Sequence, residues 1–118
     1  MRPFEMDVVE VAMVNYNYTL GFEVDRNKLD IFIDQMNGFV SRYDNAISNC
    51  VTIDLPYTTL PNEYRCIKRK KGKIPHHTFL VYRSGSVTQS GPGGERMRQA
   101  YYLFMKTIAL IEPKIKYV

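Results

Sequence analysis

Tryptophan is absent from this 118-residue chain, and cysteine occurs only twice. Cys50 and Cys66 share no disulfide-framework, metal-binding or redox spacing. Both read as ordinary strand residues of a reduced, intracellular protein. No apolar run approaches the roughly 20 residues of a membrane span, and the first residues lack the apolar stretch of a signal peptide. Low-complexity tracts are missing too, and the length suits one domain with a modest core rather than two. No nucleophile–base pair and no carboxylate pair stands out, which argues against an enzyme. His76 and His77 sit by a turn and read as surface residues. Grouped with Cys50 and Cys66 they match no standard zinc spacing, so no metal or other cofactor is expected.

What the chain does contain is globular: 45% hydrophobic residues, 24% charged, and nine tyrosines. The net charge of +4 conceals a division. Residues 1–63 hold four basic and ten acidic residues, a balance of −6, whereas residues 64–118 hold twelve and two, a balance of +10. A surface made for an anionic partner, nucleic acid being the commonest, explains such polarity. Uneven sorting of solvated charges is the plainer alternative. The basic half includes a dense run, with Arg65, Lys68, Arg69, Lys70, Lys71 and Lys73 within nine residues. Phosphate contact or nuclear import would use it, and a solvated hairpin tip would also display it.

Residues 8–20, VVEVAMVNYNYTL, are too rich in β-branched and aromatic types for a helix and read as a long strand. Its faces carry Val14, Tyr16 and Tyr18 against Met13, Asn15, Asn17 and Thr19. After a bend at Gly21, Asp25 caps a helix with Leu29, Phe32, Ile33 and Met36 at helical spacing, ending near Gly38. Strands are expected at 50–55, 64–70, 77–83 and 86–90. A second helix starts at about Glu95, with Met97, Ala100, Tyr101, Phe104, Met105, Ile108 and Ile111 on one stripe, and stops before Pro113. The expected class is therefore α+β, an antiparallel sheet with two helices on one face. SGPGGE before the second helix could cradle phosphate, but it lacks the lysine and hydroxyl of a P-loop. It reads better as a loop needing unusual backbone angles. A nucleotide-using enzyme would rest on that loop alone.

The segment FLVYRSGSVTQSG (79–91) folds back on itself at Ser-Gly. A two-residue turn, Ser84-Gly85, would pair Tyr82 with Val87 and mix polar and apolar residues on both faces. A three-residue turn, Ser84-Gly85-Ser86, pairs Tyr82 with Thr88 and Leu80 with Ser90. The latter gives one dry face, Phe79, Val81 and Val87, for the helices to cover. The other face then carries Leu80, Tyr82, Thr88 and Ser90, extended by Asn15, Asn17 and Thr19 if the first strand joins the sheet. Hydroxyls and amides beside exposed apolar groups suit a DNA minor groove. An ordinary amphipathic face, or one covered by another subunit, would look similar.

HTFLVYRSGSVTQSGPGGERMRQAYYLFMKTIALI resembles the second half of one repeat of the TATA-box-binding protein family. The matching residues are Leu80-Val81-Tyr82, Arg83, Ser84-Gly85-Ser86, Val87-Thr88-Gln89, Ser90-Gly91 and the following helix. MVNYNYTLGFEVDRNKLDIF is similar to the family's opening strand, Leu-Gly bend and first helix, and KIP (73–75) to the turn before its third strand. The likeness spans roughly residues 13–111, with an insertion near 56–72, and Ser86 replaces the lysine of the family's turn. It implies a curved antiparallel sheet with two helices on its convex face. It also implies a role in transcription initiation, gripping the minor groove of AT-rich DNA. The implied DNA-facing residues are Asn15, Asn17, Leu80, Tyr82, Thr88 and Ser90, with Tyr82 where one kinking phenylalanine would stand. The basic residues 65–73 would contact phosphates. Two repeats make the family's saddle, so a homodimer or a second repeat is implied, with other initiation factors or RNA polymerase on the helices. No membrane contact is expected. The implied place of action is the nucleus or, for a virus-encoded copy, a viral factory. The rival reading is a dimerisation or protein-interaction module on the same fold that no longer binds DNA.

Overall fold

The computed structural model describes residues 14–56 and 76–117. Five strands form one antiparallel sheet: β1 (Val14–Thr19), β2 (Val40–Arg42), β3 (Cys50–Pro56), β4 (His76–Tyr82) and β5 (Ser86–Gly91). Their spatial order is β1-β5-β4-β3-β2. Two helices, α1 (Arg26–Ile33) and α2 (Gly94–Ile115), complete the α+β architecture on a curved sheet. The expected strand at 64–70 and the part of the first strand before Val14 lie outside the described residues.

Strand alternation builds the core. Val51, Ile53 and Leu55 of β3, Phe79 and Val81 of β4, and Val87 of β5 are all buried on one face. Both helices cover that face: Leu29 and Ile33 from α1, and Ala100, Phe104, Ile108, Ile111 and Ile115 from α2, join the same cluster. Phe79 and Phe104 stack at 4.3 Å, and Phe39 meets both edge-on. Each such side chain, fully buried, contributes about 1.5–3 kcal/mol. The α2 spacing 97, 100, 104, 108, 111, 115 is what turns this burial into a single helical stripe.

Several local departures from the sequence reading have physical causes. Asp25 does cap α1, its Oδ1 accepting from the Lys28 backbone N–H at 3.2 Å. The helix nevertheless ends at Ile33 rather than near Gly38. Asp34 leaves helical geometry and accepts the Ser41 N–H at 2.9 Å, while Gln35 and Asn37 take left-handed backbone angles. That turn delivers the buried Phe39 to the core and starts β2, a strand the sequence reading missed. At the other end, α2 runs through Pro113 to Ile115. An interior proline costs about 3 kcal/mol, but Ile115 is fully buried, its carbonyl accepts the Asp25 N–H at 2.7 Å, and Lys116 bridges Val24. His77 is buried rather than at the surface.

The β4–β5 hairpin keeps the expected faces in a different register. Leu80 pairs with Thr88, Thr78 with Ser90 and Val81 with Val87, so the connection is Arg83-Ser84-Gly85. A turn closed by Gly85 N–H to the Tyr82 carbonyl (2.9 Å) leaves Gly85 with φ +93°. The expected loop would have placed Ser86 at that left-handed position, which glycine occupies at far lower cost. Because the partners shift by two residues, every side chain stays on its expected face.

Candidate nucleic-acid interface

Opposite the helices, the sheet face is uncovered by any described element. Register places its side chains in rows that cross the strands. One row reads Asn15, Ser90, Thr78, Asp54 and Val40 from β1 to β2. The next reads Asn17, Thr88, Leu80, Thr52 and Arg42. Cys50 and Tyr82 pair beyond them, toward the hairpin tip. Neighbouring strands lie about 4.8 Å apart, so each five-residue row spans roughly 19 Å.

The β1–β5 end of this face is a hydrogen-bonded ladder. Thr88 Oγ1 donates to Asn17 Oδ1 at 2.8 Å, and Ser90 Oγ donates to Asn15 Oδ1 at 2.6 Å. Both asparagines are exposed. Each Oδ1 has then taken up one of its two lone pairs, and each amide keeps its two N–H donors beside the hydroxyl oxygens. Leu80 and Tyr82 add half-buried apolar area beside them. The neighbouring Cys50, then burial, push the Tyr82 hydroxyl above its ordinary value, so it stays a neutral phenol at physiological pH.

The β2–β3 end is different. Arg42 donates to Asp54 Oδ2 at 2.8 Å, Thr78 Oγ1 donates to Asp54 Oδ1 at 3.2 Å, and His76 Nε2 stands 3.6 Å from the same carboxylate. Among the described residues the face therefore carries little net charge.

The structure thus brings together Asn15, Asn17, Leu80, Tyr82, Thr88 and Ser90. Arg65, Lys68, Arg69, Lys70, Lys71 and Lys73 lie outside the described residues, in the stretch of chain between β3 and β4. Sequence reasoning missed Thr52, Asp54 and Thr78 on this face, although the alternation in CVTIDL carried the signal for the first two. Arg42 was missed with β2, a strand too short to show a period.

On the helix side, a groove of about 520 Å³ runs between β1 and the start of α2, lined by Tyr16, Tyr18, Met97, Arg98 and Tyr101 among others. Burial, then Tyr101, hold the Tyr18 phenol protonated. Tyr18 donates to Gln89 Oε1 at 2.7 Å, and the buried Gln89 passes a hydrogen bond to the Met97 carbonyl at 3.1 Å. That chain satisfies the buried Gln89 amide and ties β1 and β5 to α2. The glycines before α2 do adopt the unusual angles expected of them, with φ +83° at Gly93 and +65° at Gly94. No described helix is long and apolar enough to cross a membrane. Comparison with family models, with curated proteins and with solved structures finds no match to this chain.

Proposed function

We propose that the open sheet face is a minor-groove DNA-binding surface of the TATA-box-binding-protein kind, preferring AT-rich duplex and serving transcription initiation. One observation carries the reading: the asparagine–hydroxyl ladder holds two exposed amides, with their N–H donors, on a low-charge, partly apolar face. In the minor groove, A·T and T·A pairs show only acceptors, adenine N3 and thymine O2, whereas G·C pairs add the guanine amino donor. A donor-bearing face is complementary to the former and opposed by the latter. The cations for phosphate contact come from the basic stretch 65–73.

The β1 edge favours a paired form. Among the described residues β1 has a neighbour only in β5, so its outer edge is open to a second copy or a second repeat of the same kind. Pairing there would double the open face. A module that uses this edge for assembly alone is the second reading.

Fluorescence-anisotropy titration against AT-rich and GC-rich duplexes, with the oligomeric state measured on the same sample, separates the two. Salt-sensitive binding that prefers the AT-rich duplex is expected. Neutralising Lys70 and Lys71 should lower the slope of log K against log salt by up to about 2. Tyr82→Ala should weaken binding about tenfold, with Tyr82→Phe close to the native protein. A dimer with no duplex binding at low salt would leave only the assembly reading.

A further inference from the structure

The carboxylate of Asp54 is out of place on a surface that reads acceptors, and its surroundings show that it is held there. Its side chain is only 16% exposed, its two oxygens are oriented by Arg42 at 2.8 Å and Thr78 at 3.2 Å, and His76 Nε2 stands 3.6 Å from Oδ1. The Arg42 guanidinium compensates its charge. An ionised carboxylate offers about four acceptor positions, so these contacts leave it able to accept again from a ligand lying on the sheet. At the β1 end of the same row the acceptors are neutral amide and hydroxyl oxygens, weaker than an ionised carboxylate. The sole base-edge donor in the minor groove is the guanine N2 amino group.

We propose that the open face is a two-part reader, with Asn15 and Asn17 selecting A·T pairs and Asp54 accepting from the N2 amino group of a guanine. Asn15 and Asp54 stand in one cross-strand row with Ser90 and Thr78 between them. Three inter-strand spacings separate them, about 14 Å, or roughly four base-pair rises along a groove that follows the row. The preferred site is then an A·T tract with a G·C pair placed about four steps from its asparagine-contacted end. Arg42 and Thr78 are positioning residues, acting through the carboxylate. This rests on the minor-groove reading above and specifies its ligand.

The test walks a single G·C pair through an A·T duplex and measures affinity at each position. In a parallel series inosine replaces the guanine, which removes the N2 amino group and leaves the other minor-groove atoms in place. One position of the G·C pair should bind about tenfold tighter than its inosine counterpart, and this ratio should fall to about one in Asp54→Leu. The guanine-to-inosine ratio in the native protein needs no variant to fold, and Asp54→Asn, nearly isosteric, should give an intermediate ratio. Tight A·T binding with no position that favours guanine over inosine would overturn the role of Asp54 and leave the minor-groove reading standing. A guanine preference that survives in Asp54→Leu would overturn the assignment to that residue. Failure to bind any duplex would overturn both readings together.

Discussion

Ser90 on β5 donates its hydroxyl proton to Oδ1 of Asn15 on β1 at 2.6 Å, across strands brought together from 75 residues apart in sequence. Thr88 and Asn17 repeat the relationship at 2.8 Å. If these bonds orient amide donors toward a groove, truncating the amide removes the reader and truncating the hydroxyl loosens it. Asn15→Ala and Asn17→Ala should each weaken binding to an AT-rich duplex about tenfold and shrink its preference over a GC-rich one. Ser90→Ala and Thr88→Val should leave the sheet intact and reduce the same preference about two- to threefold. Competition titrations between the duplexes check this, and an unchanged ratio in all four variants would remove the ladder from recognition.

Gly85 closes the β4–β5 turn against the segment that follows β1. A β-carbon built on it would lie 2.2 Å from the Phe22 carbonyl oxygen, and its φ of +93° disfavours any side chain. Its own carbonyl accepts the Leu20 N–H at 2.8 Å, so the tip cannot simply move away. Gly85→Ala should therefore cost about 2–4 kcal/mol, combining backbone strain with the displaced contact. Urea unfolding monitored by circular dichroism measures it. A loss below about 1 kcal/mol would show that the hairpin tip and the Phe22 segment are not packed as described.

His77 makes stability depend on pH. Its side chain is buried against Gly91, where an added β-carbon would come within 2.6 Å of Nδ1. Burial first, and then His76 and Arg96, lower its pKa from 6.5 to about 4. The unfolded chain thus binds a proton below about pH 6.5 that the folded chain refuses until about pH 4. Stability from this group is complete above pH 6.5 and falls as pH drops through that window, by roughly 3 kcal/mol in total. Urea midpoints between pH 7.5 and pH 4 should fall accordingly, and the His77 share of the slope should vanish in His77→Leu. A flat profile in the native protein would contradict the burial of a neutral imidazole.

Much of this architecture was legible because it depends on period. The alternation in 50–55, 77–83 and 86–90 and the stripe from Met97 to Ile111 each state which face goes inward. The grouping of Leu80, Tyr82, Thr88 and Ser90 survived an incorrect hairpin register because a two-residue shift preserves parity. The end of α1 was not legible, because it is set by Asp34 reaching the Ser41 N–H. Nor was the passage of α2 through Pro113, since only the docking of Ile115 and Lys116 beside Val24 offsets the proline.

The site divides along the same line. Local sequence determined which residues could stand on an open face, because side-chain direction in a strand needs only the chain itself. Which of them stand together was decided by strand pairing between distant segments, which no local pattern encodes. Burial of Phe79, Val81, Val87 and Phe104 under two helices sets which side of each strand faces inward, and the pairing register then sets Asn15 beside Ser90 and Asp54 beside Thr78.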